Sequence, residues 1–262
     1  MRIRDIADTI ERFAPLSLQE SYDNSGLIVG RYEQEVHHAL LAVDVTEEVL
    51  DEAERYGCDI VITHHPIIFH AMKRFNSATY VERCVERAIR SGIALYACHT
   101  NLDSASHGMS RHLAEQIGLS GISVLQPLAS DPSAGLGAIG ELVEEEDAAD
   151  FLRRIKETFS VGAIRHNGIT PGRRIRRVAV CTGAGGSLIG DALASQADLY
   201  LTSDLRYNDF MRGERGMIIA DMGHFESEFC AIRILFDILS KNLCTFAVRR
   251  SERSRNPVHY LV

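Results

Sequence analysis

Residues 58–66 read CDIVITHHP, a short apolar run (Ile60, Val61, Ile62) that ends in two adjacent histidines and a proline. Such a run predicts a buried strand, and Pro66 stops it from continuing as an ordinary central strand, so His64 and His65 fall at its end. Working outward, Leu40–Val43 reads as a strand, Thr46–Tyr56 as a helix, Asp59–Ile62 as the quoted strand, Ser77–Arg90 as a helix and Ile93–Ala97 as a third strand. Strand-length apolar runs alternating with amphipathic helices predict an α/β fold with largely parallel strands.

The second half has the same grammar: strand Val178–Cys181, helix Ser187–Ser195, strand Asp198–Leu201, helix Asp204–Arg212 and strand Met217–Ala220. CDIVIT (58–63) aligns with ADLYLT (197–202), and Gly92 and Gly216 each open a strand that leads toward a histidine. One unit used twice is the sharper reading, and generic βαβ grammar the blander one. The Ser-, Gly- and Pro-rich stretch Leu128–Gly137 suggests a lobe boundary, followed by a strand over Ala138–Val143. The expected lobes are residues 1–127 with 224–262, and residues 128–223.

A hydrophobic fraction of 45% in 262 residues is enough to bury a large core without disulfides. The 28 Lys and Arg stand against 36 Asp and Glu, a net charge of -8 that argues against binding long nucleic acids. None of the six cysteines forms a C-x-x-C pair, which argues against a zinc ribbon. The segment Met1–Ala14 is helical in pattern but carries Asp5, Asp8 and Glu11, unlike a signal peptide, and no run has the length of a membrane span. A soluble, cytoplasmic protein is expected. The acidic run Glu144–Asp147 suits a helix start, and Arg173, Arg174, Arg176 and Arg177 read as a solvated turn rather than a phosphate contact.

Histidines and carboxylates gather at strand ends. Beyond His64 and His65, the next strand ends in Cys98-His99-Thr100-Asn101-Leu102-Asp103, and the last in Gly223-His224-Phe225-Glu226-Ser227-Glu228. Carboxyl ends of neighbouring parallel strands meet where α/β sites form. A helix from His224 to about Leu239 puts His224 and Glu228 one turn apart on one face, suited to a shared metal, while Glu226 points elsewhere. Three imidazoles and two carboxylates, His64, His65, Asp103, His224 and Glu228, exceed what one tetrahedral ion needs but fit two divalent cations if a carboxylate bridges them. Mixed N/O ligation suits zinc, manganese, iron or cobalt. His99 and Asp44 are placed beside the metals, orienting ligands or handling protons. The alternative is a set of core and capping groups, which would be costly to bury unpaired. The turn Gly183-Ala184-Gly185-Gly186-Ser187 reads either as an anion cradle or as a tight turn; it lacks the P-loop lysine.

These motifs, with Ser21-Tyr22-Asp23-Asn24-Ser25-Gly26-Leu27 near the start and Thr63-His64-His65-Pro66, resemble the Ngg-interacting-factor-three-like family, whose members also go by type 2 GTP cyclohydrolase I homolog. The resemblance implies two similar, intertwined α/β lobes with mixed sheets, a dinuclear metal centre and a toroidal homohexamer. It places the metal ligands on His64, His65, Asp103, His224 and Glu228, with Glu228 as the bridge. The stretch Leu201–Asp209 departs from many relatives, which carry Gly at 203, Lys at 206 and His at 208, and the chain resembles the short form without an inserted middle domain.

The expected activity is metal-dependent hydrolysis of a small, nucleotide-like substrate: two cations lower the pKa of a bound water toward ~7. If the family name applies, the substrate is GTP, opened at C8 with loss of formate, and His99 handles protons as the candidate catalytic residue. Two other readings stay open at this point: a metal-storing, delivering or regulatory protein without turnover, and a hydrolase of another phosphate ester or modified nucleotide.

Overall fold

Apolar residues at alternate positions make strands, and apolar residues three or four apart make helices that cover them. The computed structural model describes residues 1–261, with backbone alone at residue 215. In chain order its strands are β1 (Gly26–Val29), β2 (His38–Ala42), β3 (Ile60–Thr63), β4 (Ala94–Ala97), β5 (Leu119–Leu128) and β6 (Asp131–Asp147). They continue with β7 (Arg165–His166), β8 (Arg174–Ala184), β9 (Leu199–Ser203), β10 (Ile218–Asp221) and β11 (Ala247–Arg250). The chain divides into two compact units, Met1–Leu102 with Ala231–Arg255, and Asp103–Cys230 with Asn256–Val262.

In the first unit the sheet order is β1-β4-β3-β2-β11. Strands β2, β3 and β4 run parallel, β11 adds parallel to β2, and β1 closes the other edge antiparallel to β4. All four residues of β3 are buried, as a central parallel strand requires. The helix Glu47–Arg55 starts where Thr46 accepts a hydrogen bond from the Val49 amide, and Tyr80–Ser91 where Thr79 does so from Glu82. Val49, Leu50, Ala53, Val85 and Ala88 of these helices pack with Leu40, Val61 and Leu95. Helix Ile3–Phe13 buries Ile3, Ile6, Ala7 and Ile10, a single helical stripe.

In the second unit the order is β5-β6-β8-β9-β10-β7, parallel across β8, β9 and β10 and antiparallel at the other pairings. The period-two rule sorts its core. Val178, Val180, Leu199, Leu201, Ile218 and Ala220 meet Phe151, Leu152 and Ile155 of the helix Ala148–Thr158. Their neighbours Ala179, Tyr200 and Ile219 belong to another cluster, with Ile189 and Ala192.

The internal repeat is visible in topology. Each unit has three parallel strands in consecutive order, β2-β3-β4 and β8-β9-β10. The third of each set pairs antiparallel with a strand that precedes the set in the chain, β1 or β7.

The expected lobe cuts after residue 127 and before residue 224 both fall inside the second unit. Leu128–Gly137 is the turn and first part of the β5–β6 hairpin, where Asp131 accepts hydrogen bonds from the amide and hydroxyl of Ser133; its Ser, Gly and Pro content serves that turn. The helix expected over Asp204–Arg212 shrinks to Tyr207–Phe210, because Asp204 adopts a positive φ of 55° and stays outside it. Asp147, closing the acidic run, caps the next helix by accepting from the Ala149 and Asp150 amides. The arginine cluster is paired within the unit: Arg173 with Asp198, and Arg176 and Arg177 with Glu141.

Buried Glu52 ties the returning chain to the first unit, accepting from the Ser251 hydroxyl and the Glu252 and Arg253 amides. Among the described residues, no helix is long and apolar enough to cross a membrane.

Candidate metal centre

Strand β3 ends at Thr63, whose hydroxyl donates to the His65 carbonyl at 2.8 Å, while the His65 amide donates to Val43 O beyond β2 at 3.0 Å. These bonds fix the backbone turn that carries both imidazoles. His64 is fully buried, and its Nδ1 donates to the Cys98 carbonyl at 2.9 Å. His65 Nδ1 donates to Asp44 Oδ1 at 2.8 Å. His99, just past β4, donates from Nδ1 to Asp23 Oδ1 at 2.7 Å. In each case the partner oxygen can only accept, so the ring proton sits on Nδ1 and the lone pair on Nε2. One ligand atom from each of His64, His65 and His99 lies within 4.8 Å of the others. His99 therefore lies beside the two histidines expected as ligands, within reach of a group they hold.

The sequence offered only a motif for Asp23; its partner lies 76 residues away. Its carboxylate also accepts from the Thr100 amide and hydroxyl, the Asn24 amide and the Ser25 hydroxyl. Burial opposes its ionisation, but the hydrogen bonds from His99 and Thr100 outweigh burial and hold its pKa well below the usual carboxylate range.

The second unit carries the other predicted ligands. Asp103, read from the sequence with the first repeat, is the first residue of this unit. The helix expected over His224–Leu239 runs as His224–Glu228 and Cys230–Asn242, so His224 and Glu228 occupy one short segment. His224 Nε2 is 2.9 Å from Glu228 Oε2, and Nδ1 donates to Asp204 Oδ2 at 2.8 Å. Burial lowers the His224 pKa, but the bonds and charges of Glu228 and then Asp204 push it up to about 9. Burial, then the charge of Asp103, pushes the Cys181 thiol up to about 12, with a further contribution from Glu228. The Cys230 thiol is raised by burial and then by the same two carboxylates. Asp103 and Glu228 therefore concentrate negative charge in one region of the unit. Glu226 turns to Asn256, whose Nδ2 donates to it at 3.0 Å.

The glycine-rich turn takes its meaning from Glu228. Gly183 has φ +63°, and a Cβ there would run into Glu228 Oε1. Its amide donates to Ser227 Oγ at 2.9 Å, and its carbonyl accepts from the hydroxyls of Thr202 and Ser203. The turn is thus built for close approach of a carboxylate, the tight-turn alternative of the sequence reading. Gly183→Ala is expected to displace Glu228 and to cost ~1–3 kcal/mol of backbone strain. Denaturant titration measures the strain, and metal analysis of the same variant should show reduced retention; full retention would mean that Glu228 tolerates displacement.

The donor chemistry fits a first-row divalent cation. Imidazole Nε2 atoms oriented by oxygens on Nδ1, with the buried Glu228 and half-buried Asp103 carboxylates and, among the described residues, no thiol held at low pKa, match zinc, manganese, iron or cobalt better than calcium or magnesium.

Comparison with known proteins identifies the family of the chain. Over 232 residues the chain is 35% identical to a protein of Clostridium perfringens named GTP cyclohydrolase 1 type 2 homolog, covering 87% of both chains. A hypothetical protein of Staphylococcus aureus of known crystal structure superposes with a TM-score of 0.92 at 26% identity, covering 100% of this chain and 99% of that one. A Bacillus cereus protein related to NIF3 gives a TM-score of 0.91 at 23% identity with the same coverage, a likeness of fold. Residues 1–257 match the family profile of Duf34/NIF3 (NGG1p interacting factor 3). With histidines and carboxylates at equivalent strand ends of a duplicated α/β unit, the chain belongs to the Duf34/NIF3 family.

Proposed function

We propose that the chain is a divalent-metal-dependent hydrolase, in which His64, His65, Asp103, His224 and Glu228 would together hold two cations, with Glu228 as the ligand they would share. One observation carries the reading: Nδ1 of each of His64, His65, His99 and His224 donates to a carbonyl or carboxylate oxygen, which commits Nε2 to ligation or proton transfer. Histidines that serve only packing have no need of this arrangement four times over. The five residues would supply three neutral and two anionic donors.

Bound cations of this kind supply Lewis acidity and a water acidic enough to attack at neutral pH. The protein's part is to orient and to move protons. Asp44 and the Cys98 carbonyl hold the imidazoles of His65 and His64 in one tautomer, and Asp204 does so for His224. Asp23 holds Nδ1–H of His99, so His99 Nε2 is the atom that takes a proton from the attacking water and returns it to the leaving group.

Relatives named GTP cyclohydrolase 1 type 2 homolog make GTP the first substrate to test. Protein loaded with zinc, manganese, iron or cobalt is expected to release formate from GTP, followed by a formate assay and chromatography of the opened nucleotide. Metal-replete protein that releases no formate eliminates GTP, and the hydrolase reading then rests on a screen of other nucleotides and phosphate esters. A chain that hydrolyses none of them, yet passes its metal rapidly to a chelator, is a metal carrier instead.

A further inference from the structure

A continuous series of aromatic rings leads outward from the imidazoles of the first unit. His64 is wholly buried, Phe69 is 39% exposed and Tyr22 is 62% exposed. Ring centroids are 5.2 Å apart for His64 and His99, 6.0 Å for His99 and Phe69, and 6.3 Å for Phe69 and Tyr22, each pair edge to face. His70 flanks Phe69 on another side at 5.0 Å.

The outer pair is braced. Asn24 Nδ2 donates to the Ile68 carbonyl at 2.7 Å, joining the loop of Tyr22 to the loop of Phe69. The Asn24 amide donates to Asp23 Oδ1, the same oxygen that holds His99 Nδ1. Tyr22, Phe69 and His99 are therefore tied through one short network. Single exposed aromatics need no explanation, but two that are paired, braced and in ring contact with a buried imidazole group call for one.

We propose that Tyr22 and Phe69 seat a planar heteroaromatic ring of the substrate and present it to His99. The exposed part of each side chain offers aromatic surface to a third ring, which aromatic groups pack against edge to face or offset. Recognition by ring faces is tolerant of substituents and selects for planarity, so the seat reads the ring portion of a nucleotide rather than its sugar or phosphate. The seat deepens the hydrolase reading and rests on it for the reaction alone.

The test is calorimetric titration of the full-length, metal-loaded chain with guanosine 5′-monophosphate and with ribose 5-phosphate, which lacks the ring. The wild-type chain is expected to prefer the nucleotide by at least about tenfold, the effect of one base on an aromatic platform. Tyr22→Ala and Phe69→Ala should each weaken nucleotide binding about tenfold, Phe69→Tyr should retain it, and ribose 5-phosphate binding should not change. Both positions are exposed, so unchanged melting temperatures verify the fold. Absence of the preference in the wild-type chain, or its survival in the double alanine variant, overturns the seat. The two readings separate cleanly. Ring preference lost in the alanine variants of a chain that hydrolyses nothing removes the hydrolase and keeps the seat. Hydrolysis of ring-free esters, with no ring preference, does the reverse.

Discussion

Glu228→Gln is expected to leave a folded chain that retains at most one divalent cation, against the two proposed for the wild type. The substitution is nearly isosteric, so the 3% exposed side chain keeps its place beside Gly183 and on the short helical segment of His224. What changes is charge and donor chemistry. A carboxylate offers two anionic oxygens and can bridge two cations, whereas an amide offers one neutral oxygen and an NH2 that binds no cation. The new NH2 or carbonyl also faces His224 Nε2, where Glu228 now contributes most to raising the imidazole pKa to about 9. Metal-to-chain ratios from mass spectrometry after desalting, with circular dichroism as the control for folding, read the outcome. Two cations retained per chain would sink the bridging role. Any hydrolytic turnover should fall by at least about a hundredfold, beyond the 10–100-fold typical of changes to residues that merely orient ligands.

The second large effect is expected at Asp23. Asp23→Ala removes a fully buried carboxylate that serves His99, Thr100, Asn24 and Ser25, and leaves those donors facing an apolar gap. Breaking such a buried set costs about 3–5 kcal/mol. Its pH dependence has a definite sign. The folded pKa is depressed, so the stabilisation is complete above the unfolded value of about 4 and is lost as pH falls through the folded value. Urea titrations of wild type and variant should therefore differ most near neutral pH and converge in strong acid. A gap that is constant from pH 6 to pH 2 would show that the Asp23 charge contributes nothing. Loss of His99 orientation has its own signature: the imidazole exchange cross-peaks of His99 in nitrogen-resolved spectra should change tautomer in the variant, an effect that general destabilisation does not produce.

The legible parts of the sequence were those set by local pattern. Strands β2, β3, β4, β9 and β10 fall within about two residues of their expected positions, because each is a buried apolar run between polar turns. The duplication could be read from CDIVIT against ADLYLT, since both runs form the middle strand of a parallel trio. Pairing across distance was not legible. Nothing at Asp23 announces His99, and nothing at Asp204 announces His224; the carboxylate types were present, but their partners are set by tertiary structure. Asp204 shows the cost of that gap. Its position reads as a helix start, yet its positive φ and its bond to His224 keep it out of the helix. The Ser- and Gly-rich stretch at 128–137 misled for a related reason, since a hairpin turn and an interlobe linker share the same composition.

The return of the chain to the first unit has a consequence during synthesis. Strand β2, whose Ala39–Ala42 are buried in the finished sheet, receives its last neighbour only when β11 is made, some two hundred residues later. Until then a growing polypeptide presents β2 as an unpaired apolar edge, open to the sheet edges of other nascent chains. Pairing at so long a separation is slow, so the step that protects this edge comes late. Yield of soluble product in the cell should therefore fall on changes at Glu52 and Ser251, which anchor the returning segment.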